Sequence, residues 1–103
     1  MIARIWHGRT LAQHFDEYTE FTNKMAIPDY SSIEGNLGMT FLRRLEGNEA
    51  HFTLITYWDS IDSIKKFAGE DYEKAKYYPD DQKYLLEFED KVVHHEIFFE
   101  KKA

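Results

Sequence analysis

The chain has 103 residues, a formal net charge of −6 at pH 7, 17% aromatic residues and no cysteine. This length allows a single domain, 1–103, with one modest hydrophobic core. The acidic charge excludes nucleic acid as an expected partner, because phosphate contacts need clustered Lys and Arg, and the lack of cysteine excludes disulfides and thiolate zinc sites.

The first nine residues alternate as a β-strand does, which places Arg4 and Trp6 on one face. Their apolar run is too short for a signal peptide, and no later run reaches the length of a membrane-spanning helix. We therefore expect a cytoplasmic protein with no membrane partner.

The next segment predicts an amphipathic helix. Thr10 to Gln13 fits an N-terminal capping box, and apolar residues follow at three- and four-residue spacing as far as Met25. Pro28 is expected to end the helix, because the residue before a proline avoids helical angles. The polar stretch 29–36 is then expected to be a loop.

A change of hydrophobic period predicts two strands followed by a second helix. Strands are expected at 37–45 and 49–58, joined by a short hairpin turn. After Trp58 the apolar period changes from two to about 3.6, which predicts a helix over 60–68. Trp58 and Phe67 are expected to face the cleft between the sheet and the helices.

The remaining residues predict more helix and a last strand. Residues 71–78 and the turn opened by Pro79 are expected to be helical, since proline suits a first helical turn. Residues 91–100 are apolar on both faces and predict a fourth strand. The order β-α-β-β-α-β predicts a ferredoxin-like α+β fold, with a four-stranded antiparallel sheet and helices on one face.

The face of this sheet that lacks helices is expected to be covered by a second copy of the chain. The fourth strand places apolar side chains on both faces, since Phe98 and Phe99 point in opposite directions. A copy related by a two-fold axis is the simplest cover. We therefore expect a homodimer whose interface buries on the order of 2,000 Å².

Four blocks of the sequence carry a family resemblance. They are 1–6, 57–69, 75–81 and 92–97. Together they resemble the antibiotic-biosynthesis-monooxygenase family, whose members are dimeric α+β barrels. The resemblance implies a homodimer with a small-molecule cleft in each subunit. It also implies the oxidation of a small aromatic or polyketide-like substrate with dioxygen and without a cofactor.

The same superfold includes proteins that degrade haem. The resemblance gives them an Asn on the first strand, a Trp after the third strand and an axial His on the second helix. Trp58 matches this pattern, but the first strand has no Asn and no His lies between Trp58 and Val93. The sequence therefore disfavours haem degradation.

Seven residues are candidates for the site. Arg4 is a guanidinium among apolar neighbours, which suits it to hold a carboxylate or an oxyanion. His94 is a candidate base, because the ordinary pKa of histidine lies near neutral pH. These two are the expected catalytic residues, and the expected substrate-binding residues are Trp6, Trp58, Phe67, Tyr77 and Tyr78.

Both catalytic assignments have structural alternatives. Arg4 also suits an ion pair, and His94 also suits a hydrogen-bonded position at the dimer interface. The five histidines show no ligand spacing, so no metal site is expected. Two functions stay open: a cofactor-independent monooxygenase, or a non-catalytic dimer that binds a small apolar or aromatic ligand.

Overall fold

The computed structural model describes residues 1–103 and contains one antiparallel sheet of four strands in the order β2-β3-β1-β4. Two α-helices pack on one face of this sheet, which confirms the predicted ferredoxin-like α+β fold. Neither helix has the length and apolar character that a bilayer crossing requires. The elements are β1 (Ile2–Leu11), α1 (Phe15–Ser31), β2 (Asn36–Glu46), β3 (Glu49–Trp58), α2 (Ile61–Ala68) and β4 (Val93–Glu96).

Side chains alternate along β1 and β3, and this alternation gives the sheet two different faces. The even-numbered residues of β3 are all buried, and Arg4 and Trp6 of β1 lie on the same side, where the helices pack. We call this side the helix face. The opposite side carries Ile5 and Ile55 and is called the open face.

β1 extends further than the sequence predicts, and α1 begins later. Thr10 pairs with Ala50 in the sheet, and its hydroxyl donates a hydrogen bond to the Leu11 carbonyl instead of capping a helix. A 3₁₀ turn at Ala12–His14 then leads into α1. The predicted capping box is therefore wrong, because strand pairing uses its first residue.

α1 also ends later than predicted, since it passes through Pro28 to Ser31. Proline removes one backbone hydrogen bond, but the next turn buries Tyr30, whose ring stacks on Phe67 with 4.4 Å between the centroids. This tertiary packing keeps the turn helical. The loop expected over 29–36 is shortened accordingly.

Residues 69–92 connect α2 to β4 and lie over the helix face, and we call them the covering segment. The helix predicted over 71–78 is absent, and a 3₁₀ turn at Pro79–Lys83 is the longest regular element. The covering segment is held by contacts with residues distant in the sequence, and not by the backbone hydrogen bonds of a helix. The Tyr18 hydroxyl donates to Asp81 at 2.7 Å, for example.

β4 is four residues long, much shorter than the strand predicted over 91–100. β1 begins at Ile2, which pairs with Glu96, and one further backbone hydrogen bond follows, from the Ile97 N–H to the Met1 carbonyl at 3.0 Å. Phe98 and Phe99 follow and are 98% and 74% exposed. The length of the neighbouring strand, and not the apolar pattern, therefore limits β4.

Candidate functional site

Arg4 and His94 face each other across β1 and β4. They are directly paired in the antiparallel register, so both side chains project from the helix face. Arg4 is 1% exposed. Its Nη2 atom donates to the Lys74 carbonyl at 3.2 Å, and its guanidinium carbon lies 5.3 Å from the centre of the Phe67 ring. The structure thus brings together the two residues that the sequence predicts as catalytic.

The guanidinium of Arg4 is buried without a carboxylate partner. Arg9, Arg43 and Arg44 each form an ion pair with an acidic side chain, but the ion pair considered for Arg4 is absent. Burial lowers the pKa of Arg4, and the neighbouring Tyr30 hydroxyl opposes this shift. Burying a cation without a counter-ion costs free energy. An anionic ligand would supply the missing counter-ion of Arg4.

Three buried side-chain nitrogens on the helix face have no hydrogen-bond partner: Arg4 Nε, Trp6 Nε1 and His94 Nε2. Arg4 and Trp6 are two positions apart on β1, and His94 is opposite Arg4, so the three nitrogens belong to one part of the cleft. Buried polar atoms in proteins are nearly always hydrogen-bonded. Their concentration here indicates where the polar groups of a ligand would bind.

His94 is suited to act as a neutral ligand. Burial lowers its pKa, and the positive charge of Arg4 acts in the same direction. The Tyr72 ring packs against the imidazole edge-on, with 5.2 Å between the centroids. At neutral pH the imidazole is therefore uncharged, and Nε2 is available as a base or a metal ligand.

A small cavity lies between α1, the sheet and the covering segment. Trp6, Phe67 and Tyr78 line it together with Tyr18 and Tyr30, and its volume is about 20 Å³. Its walls are mostly aromatic. Three of the five residues predicted to bind substrate therefore meet in one cavity wall, whereas Arg4 and His94 do not line this cavity.

The other two predicted residues, Trp58 and Tyr77, lie behind this wall. Trp58 is completely buried on the helix side, where its Nε1 donates to the Thr56 hydroxyl at 2.8 Å. Tyr77 packs edge-on against Trp6, with 6.1 Å between the centroids. Its hydroxyl donates to the Glu89 carbonyl at 2.6 Å, and burial raises its pKa to about 12. Both side chains support residues that line the cavity.

Two acids that the sequence analysis did not single out hold the covering segment in place. Asp81 accepts hydrogen bonds from the Tyr18 hydroxyl and the Tyr78 N–H, both at 2.7 Å, and burial raises its pKa. Asp29 accepts from the Tyr78 hydroxyl at 2.7 Å and from the Lys76 ammonium at 2.9 Å. One local signal could have indicated Asp81. It lies three positions after Tyr78, where an acidic side chain caps the first turn of a helix.

No protein-family model matches this chain, and no curated protein matches it. Solved structures do match its fold. One is a point variant of MhuD with two manganese protoporphyrin IX molecules bound per active site; it has a TM-score of 0.64 and 15% identity, and the match covers 100% of both chains. Another is the haem degrader MhuD from Mycobacterium tuberculosis with two haems bound in its active site. Its TM-score is 0.62 at 15% identity, and the match covers 99% of this chain and 100% of that chain.

These matches show the fold of the chain. They support the family resemblance only as far as the fold is concerned. They contradict the function expected from the sequence, a cofactor-independent monooxygenase with haem degradation disfavoured, because a haem degrader shares this fold over its whole length. That expectation relied on the lack of an Asn on the first strand and of a histidine between Trp58 and Val93. β4 places a histidine, His94, opposite Arg4 on the helix face, so the lack of a His on the second helix does not leave the cleft without one.

Proposed function

We propose that this protein binds a haem-type porphyrin in the cleft between its sheet and its helices, and that it degrades haem there. MhuD, which has the same fold over the whole chain, is a haem degrader with haems bound in its active site. The observation that carries the proposal is the row of unpartnered nitrogens on Arg4, Trp6 and His94.

The three nitrogens match the polar groups of a haem, which are an iron and two carboxylates. Nε2 of His94 is a neutral imidazole nitrogen, a common protein ligand of haem iron. Arg4 and Trp6 are donors, and a guanidinium forms charge-assisted hydrogen bonds with a carboxylate. The rings of Phe67 and Tyr72 flank Arg4 and His94, and aromatic walls suit a flat apolar macrocycle.

The covering segment has to move outward before a porphyrin enters, because a cavity of about 20 Å³ holds no more than a water-sized group. Hydrogen bonds join its Lys76 and Tyr78 to Asp29 and its Asp81 to Tyr18, and its Leu85 and Val92 pack in the core. Segments with little regular structure open at a lower free-energy cost than the core of a sheet. Opening would therefore uncover the three nitrogens while β1, β3 and the helices stay folded.

Titration of the protein with ferric haem tests this proposal. We expect a saturable shift of the main haem absorption band, and weaker binding of ferric haem dimethyl ester, which keeps the iron but offers Arg4 no carboxylate. Ascorbate in air is then expected to bleach the bound haem, with dioxygen supplying oxygen atoms and ascorbate supplying electrons. A spectrum identical to that of haem in buffer would contradict binding, and bound haem that survives ascorbate would contradict degradation.

We also propose that two copies of the chain pack open face to open face as a homodimer. Val93, Ile5 and Ile55 are direct neighbours in the register of β4, β1 and β3, so they form an apolar row across three strands. Val93 is 55% exposed in the single chain. Burial of this row by a second copy would remove apolar surface from water, which favours association.

Replacing Ile55 with Lys is expected to convert the dimer to a monomer, because the charge would be buried without a partner. Light scattering at micromolar protein concentration measures this change. Ile27→Lys is the matched control, since Ile27 is an exposed isoleucine on α1, on the other side of the sheet. A wild-type protein that is a stable monomer under these conditions would contradict the proposed dimer.

A further inference from the structure

Two histidines on the open face form a cluster separate from the cleft. His7 of β1 and His51 of β3 lie on neighbouring strands, and Nε2 of His7 is 3.2 Å from Nδ1 of His51. The two residues are 44 positions apart in the sequence. Spacing alone therefore could not reveal the pair, which the β1–β3 pairing creates.

A carboxylate lies beside the outer nitrogen of each ring. Glu89 Oε2 is 2.6 Å from Nδ1 of His7. Glu49 Oε1 is 3.9 Å from Nε2 of His51, which is buried and has no hydrogen-bond partner. A carboxylate only accepts hydrogen bonds, so Nδ1 of His7 is expected to carry the proton that Glu89 accepts. The 3.2 Å contact between the inner nitrogens is then a hydrogen bond, in which Nδ1 of His51 donates to Nε2 of His7.

We propose that His7 and His51 bind a divalent transition-metal ion of the zinc, nickel and copper class through these inner nitrogens. Imidazole nitrogen is a preferred ligand of these metals. Metal–nitrogen bonds of about 2.0–2.1 Å require the shared proton to leave and both rings to turn, because ring centroids 5.4 Å apart leave the two nitrogens pointing directly at each other. A carboxylate on the outer nitrogen, as Glu89 provides for His7, is typical of metal-ligating histidines.

In a single chain the rest of the coordination sphere is open to solvent, and in the proposed dimer it would face the second copy. A hollow of about 240 Å³ adjoins both histidine rings, so water or a small ligand completes the site. Arg43 and Arg44 also line the hollow, and each forms an ion pair, with Asp16 and Glu46 respectively. No group of three His, Cys, Asp or Glu side chains is placed to enclose an ion. The affinity is therefore lower than that of a structural site with four protein ligands.

Titration of the full chain with Zn²⁺ by calorimetry tests this inference. We expect one ion per chain, and affinity reduced by at least about tenfold in His7→Ala and in His51→Ala. His95→Ala is the matched control, because His95 is an exposed histidine on the same face and should bind zinc as the wild type does. Both ligands lie on the face proposed for the dimer, so the titration uses the protein in its solution oligomeric state.

A second measurement on the wild type removes any dependence on the folding of the variants. Zinc is expected to shift the ¹⁵N resonances of His7 Nε2 and His51 Nδ1 and to leave those of His95 unchanged. Zinc affinity that is equal in the wild type and the two variants, with no shift of these resonances, would overturn the proposal. The two rings would then share only a proton.

Discussion

Replacing His94 with Ala is expected to remove the nitrogen ligand from bound haem. The absorption band should move to the position of an iron without a protein imidazole, and affinity should fall by at least about tenfold. The His94 side chain makes no hydrogen bond in the structure, so the variant should keep its fold. Absorption titrations of the wild type and the variant with ferric haem measure the effect.

His95→Ala is the matched control for this variant. His95 is the next residue on β4, but it pairs with Ala3 and is exposed on the opposite face. The haem spectrum of the His95→Ala protein should therefore be that of the wild type. The lowered pKa of His94 also predicts a pH dependence. Ligation should persist below about pH 6.5, the ordinary pKa of histidine, and be lost once His94 is protonated. Equal spectra for the wild type and His94→Ala would exclude His94 as the ligand.

Replacing Trp58 with Ala is expected to lower the free energy of unfolding by about 3–5 kcal/mol, the range for a large aromatic residue lost from a core. The indole is completely buried, and its ring packs against Phe67 and Tyr30 with centroids 6.0 and 6.3 Å away. The change also leaves the Thr56 hydroxyl without its donor. Urea unfolding of the two proteins measures the difference.

Ile27→Ala provides the comparison for this stability measurement. Ile27 is 41% exposed on α1, and surface substitutions of this kind change stability by about 0.5 kcal/mol or less. A cost below about 1 kcal/mol for Trp58→Ala would mean that its ring is not part of the core. In that case the position of Trp58 behind the cavity wall would have to be reconsidered.

Much of the fold could be predicted from local patterns. β3 was predicted at 49–58 and lies at Glu49–Trp58, because strict alternation and the turn before it are local signals. The ends of α1 and β4 could not be predicted in this way. Burial of Tyr30 carries α1 past Pro28, and the start of β1 at Ile2 limits β4. Both effects depend on residues that are distant in the sequence.

The candidate site was predictable in its residue types but not in its geometry. Alternation placed Arg4 and Trp6 on one strand face, and this was correct. The register that sets His94 opposite Arg4 is a property of the whole sheet, so the sequence left their separation open. Asp81 was missed for a related reason, since its partner Tyr18 lies 63 positions away.

The proposed function requires that a porphyrin binds on the helix face beside β1 and β4. A crystal structure of the protein with haem bound tests this claim most directly. We predict the iron bonded to His94 Nε2, a haem carboxylate on the guanidinium of Arg4, and the covering segment displaced from its present position. A haem bound on the open face, or a crystal grown with haem in which the cleft keeps its closed cavity, would contradict the claim.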